Sequence, residues 1–480
     1  MRHAIRIGRT FVRHAAWVGG LVAALCVLVL PPHAPPVSRA APGVGEVPAR
    51  LVLVRIAPNP VAVLVDERAG HAFVVACGPL RVESAYPEPA GPGAVSVVDT
   101  RTGQLLRTIR VGVWPMETVL NRTAHRLYVL NEGALTPASG LGPSSVSALD
   151  TSTGTLVRTV QVGIGAAALA VDERRGRVFV LSLDPGTGED YDLDIRTDSR
   201  TTPLRPAPTS VLDATTGRLL RRLPGVSGIA VAVGARAGRL LVASALGCQP
   251  SPDDPNNPSC LGVFDEATGK RLVTRSLPLS IDVHGMVSDD ATGHAFAVLL
   301  DDRTANGDDP RAYDHVLTLD ARTGTTLRDA VLPDQEMQTG ALVASAPAGR
   351  VALVAVPGGY ALQMGGGAAD VSVIDARGGR ALRTVWLGAA ATSRGGSRTS
   401  AVLDARRGRI VVLAQALADP GGTPDGPAVF NVLDARTGRL LHTARGQAGD
   451  VALGLDARHG RLFVANARSN TVRMLDVTRL

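Results

Sequence analysis

The chain has almost no lysine: Lys270 stands alone against 49 arginines in 480 residues. A skew that complete points to a GC-rich coding sequence more than to a function. Aromatic residues make up 3% of the chain, which leaves few platforms on which single-stranded nucleic acid could stack. Cysteine is scarce as well, with four residues and no C-x-x-C pair or nearby histidine, which argues against a structural zinc site. No Ser-His-Asp set and no phosphate-cradling glycine loop stands out; Gly365-Gly366-Gly367 reads as a flexible loop.

The formal charge of +7 is misleading. Arg2, Arg6, Arg9, Arg13 and Arg39 all precede residue 41, where there is no acid; removing five from 50 leaves 45 basic against 43 acidic residues. The remainder is nearly neutral and gives no support for a nucleic-acid partner. Those arginines open a segment with an uncharged 16-residue apolar run, Ala15 to Leu30, then Pro31-Pro32 and the small-residue site Ser38-Arg39-Ala40. This is the layout of a secretory signal over 1–40, with an uncleaved membrane anchor through 15–30 as the alternative. Residues 41–49 read as a linker and 50–480 as the folded domain. An exported chain suits a disulfide, and Cys248 and Cys260 bracket a polar, proline-rich loop; a bridge there would stabilise by roughly 3 kcal/mol. Cys77 ends an apolar run and reads as a buried small side chain.

What the chain has in abundance is repetition. One block reads V-x-V-[LIV]-D-x-x-T-G-x-x-L-R-T, as in VSVVDTRTGQLLRT (95–108), VSALDTSTGTLVRT (146–159), VLTLDARTGTTLRD (316–329) and VSVIDARGGRALRT (371–384). A second block places a polar turn and Gly-Arg between two apolar runs, as in VAVLVDERAGHAFVVA (61–76) and ALGLDARHGRLFVAN (452–466). The runs are short, rich in valine and bounded by Gly and Asp, which marks strands. Asp at the start of the turn and Gly at its end suit a tight hairpin, so the Asp row (99, 150, 213, 265, 320, 375, 434) reads as structural. Each unit therefore has four strands, A to D, and a repeat of this length indicates an all-β propeller. Eight A–B pairs are present, but only seven D strands follow a C strand. The segment 50–56 (RLVLVRI) has the D pattern and stands before the first A strand. The expectation is an eight-bladed ring closed by that N-terminal strand, with seven blades and one irregular unit as the alternative.

The segments 126–131 (RLYVLN) and 461–476 (RLFVANARSNTVRMLD) resemble YVTN-type β-propeller repeats. The resemblance covers 50–480 and implies the fold; such repeats serve as scaffolds for many roles. The turn block is also similar, from its Asp to its Gly, to the blade motif of eight-bladed quinoprotein dehydrogenases. The docking tryptophan of that motif is replaced by arginine in five copies, by Val273 in one and by His442 in another.

In this arrangement the A–B and C–D turns share one face and are short and uniform. The B–C connections on the other face are long and unlike one another, so a ligand is expected there or at the channel mouth. His284 opens the A strand of the fifth unit with Asp282 beside it, and Asp334 and Glu336 lie in the next D–A loop. These four are the candidate ligand-binding residues. Two B–C loops carry acids: Asp190, Asp192 and Asp194 in one, Asp308 and Asp309 in the other. Such hard oxygen ligands suit Ca²⁺, with solvated loop charge as the plainer reading. The function expected is an exported, non-enzymatic scaffold that binds a small molecule or another exported protein. The alternative is a propeller enzyme, lactonase-like or quinoprotein-like, with its site at the channel mouth.

Overall fold

The computed structural model describes residues 37–38, 45–46, 52–81, 88–136, 140–184, 205–244, 260–277, 281–301, 315–332, 337–345, 350–357, 368–390, 397–417 and 424–477. The chain is all-β, a single β-propeller of four-stranded antiparallel blades. The first blade pairs Pro60–Asp66, His71–Ala76, Pro92–Asp99 and Leu105–Val113 in that order. The second pairs Pro115–Asn121, Arg126–Asn131, Pro143–Asp150 and Thr155–Ile164. The same A-B-C-D order recurs in sheets beginning at Ala166, Ala230, Ile281, Met337 and Ser397. A last sheet contains Asp450–Asp456, Arg461–Asn466 and Thr471–Asp476, and its fourth member is Val52–Arg55, antiparallel to the third.

The repeated block dictates the hairpins. Asp99 Oδ1 accepts the backbone N–H of Arg101 (3.0 Å) and Thr102 (2.7 Å) and the Thr102 hydroxyl (2.9 Å). Asp213, Asp320 and Asp434 repeat all three bonds, each with its own Thr. The closing glycine is needed twice over. Gly103 has φ +72°, and a Cβ there would stand 2.9 Å from Val52 Cβ on the N-terminal strand. Gly438 has φ +68° and would meet Arg383 Cβ at 3.0 Å. Glycine adopts that conformation without steric cost and leaves that space.

Burial follows strand order. The B strand Arg126–Asn131 is buried from Leu127 on, whereas residues 105–108 of an outer strand are all exposed. The third residue of the B strand is the main filler: Phe73, Tyr128, Phe179, Phe296 and Phe463 are fully buried, each contributing about 1.5–3 kcal/mol. The core is not one mass but a series of clusters, each shared by consecutive sheets. Phe73, Val95 and Val97 of the first sheet pack with Leu127, Val129 and Leu149 of the second. Val63, Val65 and Val74 of the first pack with Phe463, Val472 and Met474 of the last.

Val52–Arg55 is held at its end by Asn470, which has φ +52°. Asn470 accepts the N–H of Ile56 through its carbonyl and that of Asn59 through its side chain, both at 3.0 Å. Upstream, Val37–Ser38 lies parallel to the outer strand Ala381–Ala390, and Gly45–Glu46 parallel to Leu440–Arg445. These two short pieces fall within the expected leader and linker; residues 1–36, with the apolar run 15–30, lie outside the described residues.

Candidate functional site

The B–C connections leave the sheets as short ribbons. Leu80–Arg81 pairs with Glu88–Pro89, Leu135–Thr136 with Gly140–Leu141, and Arg205–Pro206 returns against Leu183–Asp184. Beneath them a residue at or near the end of the B strand is polar and buried in several blades, at Asn131, Ser182, Gln415 and Asn466. Gln415 fixes a loop base: its side-chain oxygen accepts the Gly449 N–H at 2.8 Å, and its amide donates to the carbonyls of Ala416 and Gly426. Asn466 donates to Asp450 Oδ1 (2.9 Å) and to the Ala448 carbonyl.

Asp450 opens the A strand of the last sheet and is fully buried. Its second oxygen accepts the Gln447 N–H at 2.8 Å and the guanidinium of Arg473. Burial pushes its carboxyl above the usual range, against the pull of Arg473, Asn466 and the Gln447 amide. Arg473 sits where other C strands carry Ser96, Ser147, Ser210 or Asn431. Three of them bond across the gap to the preceding sheet: Ser210 to the Val162 carbonyl, Asn431 to that of Leu387, and Ser96 from the Ala57 N–H just after Val52–Arg55. Among the described residues this ion pair occurs in the last blade alone. Sequence reading missed it, although arginine in place of serine in TVRMLD was the visible signal.

A second cluster lies on the opposite face, between the third and fourth sheets. Asp172 and Glu266 are both buried. Arg175 reaches Asp172 Oδ2 at 3.0 Å and Glu266 Oε2 at 3.3 Å, and donates to the Ala235 carbonyl. Arg177 stands 3.7 Å from Glu266 Oε1. Burial, then the Asp172 charge and its hydrogen bond, push Glu266 up to about 7, against Arg175 and Arg177. Asp290, raised by burial and by Asp172, edges a cleft of about 350 Å³ lined also by Arg236, His294, Asp320 and Arg322. The cleft joins cations and carboxylates without a nucleophile–base pair. His294 Nδ1 is held 2.8 Å from the Ala376 carbonyl, so the imidazole is tied to the next sheet. Glu266 occupies the place of Thr100, Thr151, Ala214 and Ala435 in other turns, a departure legible in DEATGK. Its partner across the sheet boundary was not legible.

Of the residues expected to bind ligand, Asp282 and His284 fall near the start of strand Ile281–Asp289, which bulges between Val283 and Gly285. Asp334 and Glu336 lie outside the described residues, as do Asp190, Asp192, Asp194, Asp308 and Asp309. Among the described residues no three His, Cys, Asp or Glu side chains converge to hold a metal. Cys260 is buried and disulfide-bonded, and Cys248 lies outside the described residues. Cys77 is a buried thiol 3.9 Å from the Pro115 carbonyl. His71, His125 and His459 serve the turn face: His71 contacts the Thr151 carbonyl, His125 contacts Asp66 and His459 contacts Asp456.

No family model matches the chain, and no curated protein matches it. Solved structures do. A structure titled Dos1 propeller aligns with TM-score 0.52 and 12% identity over 89% of this chain and 95% of its own. BamB from Moraxella catarrhalis aligns with TM-score 0.48 and 15% identity, over 89% and 99%. Kuenenia stuttgartiensis hydrazine synthase gives 0.49 and 12%, over 90% and 99%. At such identities the likeness concerns the fold alone.

Proposed function

We propose that this chain is an exported binding scaffold: a closed β-propeller that holds a small molecule or another exported protein on its B–C loop face. The observation that carries the reading is the contrast between faces. On one, the same Asp-Thr-Gly hairpin recurs with the same bonds. On the other, connections of unlike length and sequence rise from buried polar anchors such as Gln415 and Asn466. A fold that varies on one side only is presenting that side.

Closure rests on Val52–Arg55 pairing with the last four-stranded sheet and on the core shared by first and last. Export rests on the basic, apolar, small-residue order of 1–40 and on the bonded state of Cys260. Cys248 is its proposed partner, and YVTN-type repeats remain the proposed family.

A thermal-shift screen of residues 41–480 against Ca²⁺, EDTA, pyrroloquinoline quinone and a lactone panel tests the function. A ligand at a hundredfold excess over its Kd adds roughly 2.7 kcal/mol. Stabilisation by Ca²⁺ reversed by EDTA would assign the acidic loops to the cation. Stabilisation by the quinone or a lactone, followed by turnover, would replace the scaffold with an enzyme. Deleting 41–57 tests closure; unchanged melting would sink it.

A further inference from the structure

The outer strands of the blades differ in one respect that the repeat does not explain. In the first five sheets the outer strand is open: Thr108, Thr159, Arg222, Thr274 and Asp329 are all exposed. In the sheets that begin at Met337 and Ser397 the equivalent Thr384 and Thr443 are buried. There the chain's own upstream pieces add to the edge. Gly45 and Glu46 pair in parallel with Ala444 and Arg445, and while the leader is attached Val37 and Ser38 pair likewise with Thr384 and Val385. The edges of this disc therefore accept an added parallel strand, and the register of one addition sets a glutamate opposite an arginine.

The five open strands carry eight arginines and a single acid, Asp329, which is already paired with His315 at 2.8 Å. Residues 41–480 are close to neutral, so positive charge is concentrated on the rim. Large apolar side chains stand exposed on the same strands, among them Leu105, Leu106, Leu156 and Leu220. Unpaired strand edges template added strands, and arginine beside them repels a like edge while attracting an acidic one.

We propose that the outer edges of the first two blades, strands Leu105–Val113 and Thr155–Ile164, are docking sites for an extended, acidic segment of a partner protein, which adds as a parallel strand with its acids beside Arg107, Arg110 and Arg158. Backbone pairing supplies the hold, the leucines supply apolar contact, and the arginines select sign. The rim is separate from the loop face, so this inference stands or falls independently of the scaffold reading.

The test uses residues 41–480 and a ten-residue peptide of repeating Val-Val-Glu-Glu, which carries acids on both faces at the three-residue spacing of Arg107 and Arg110, labelled for fluorescence anisotropy. The expected result is saturable binding, weakened about tenfold or more by the double variant Arg107→Glu/Arg110→Glu and by N-methylation of alternate peptide bonds. A peptide of alternating valine and arginine should not bind. Absence of binding overturns the proposal. So does binding that survives N-methylation, which would be charge attraction without strand pairing. Binding to phosphatidylglycerol vesicles but not to the peptide would assign the rim to a membrane surface and overturn it equally. Retained melting of the variant establishes that loss of binding is not loss of fold.

Discussion

Two rings of aspartate lie on the same face of the disc and do different work. The C–D ring, typified by Asp99 and Asp434, is partly exposed and spends its oxygens inside its own hairpin. The A–B ring, which includes Asp66, Asp172, Asp404 and Asp456, is buried. Several of its members reach another blade. Asp66 accepts the Thr151 hydroxyl of the second sheet at 2.5 Å and lies 3.3 Å from His125. Arg407 ties Asp404 to the Ala457 carbonyl of the next sheet. The residue after the turn aspartate reaches the other way: Glu67 accepts the Ala457 N–H at 2.7 Å and Glu173 the Arg122 N–H at 2.9 Å. One residue type, at two places in one repeat, fixes register in the first ring and joins blades in the second.

The largest effect should come from Asp66→Ala, which removes the Thr151 and His125 contacts and two turn N–H bonds together. A loss of about 3 kcal/mol in denaturant unfolding is expected, and a loss under 1 kcal/mol would erase the distinction between the rings. Thr151→Val isolates the part between blades. It leaves Asp66 Oδ2 with only the longer His125 contact and should cost about 2 kcal/mol.

Glu266→Gln sharpens the comparison from the opposite direction, because here two carboxyls meet where other turns have one. The Glu266 carboxyl rises from an ordinary 4.5 to about 7. Between those values the folded chain holds a proton that the unfolded chain has released, so stability falls as pH rises through that window. Glutamine removes that dependence, and the variant should melt higher than the parent at pH 8, by the equivalent of about 1–2 kcal/mol. An unchanged profile would mean that Arg175 and Arg177 already neutralise the pair.

The smallest effect belongs to Asp434→Ala in the exposed ring, at about 1 kcal/mol. The Thr437 hydroxyl, against burial and together with backbone N–H groups, holds the Asp434 carboxyl below its ordinary value. Its contribution is therefore present at neutral pH and lost as pH falls below about 4, and the difference between parent and variant melting should vanish in acid. A cost as large as that of Asp66→Ala would show that the hairpins carry the fold.

These differences also mark how far the sequence could be read. Alternation, turn chemistry and glycine placement are local, so D-x-x-T-G announced the hairpins and the A–B and C–D strand pairs. The segment RLVLVRI was recognisable as a D-type strand from its pattern alone. The bond from Asp66 to Thr151 was not readable, because it joins residues 85 positions apart through the stacking of two sheets. Arg473 and Glu266 were visible as departures from the repeat, yet their partners Asp450 and Asp172 follow only from three-dimensional neighbourhood. The acidic loops gave composition without geometry.

The bond from Asn59 to Asn470 joins residues 411 positions apart. Translation delivers Val52–Arg55 long before its partner Thr471–Asp476. Until Thr471–Asp476 emerges, Val52–Arg55 lacks the strand it pairs with in the folded sheet. Closing so long a loop is slow, and the interval leaves two complementary edges available to other chains. Crowded synthesis therefore favours exchange of this strand between copies, and dimers linked through it should accumulate when refolding is attempted at high concentration.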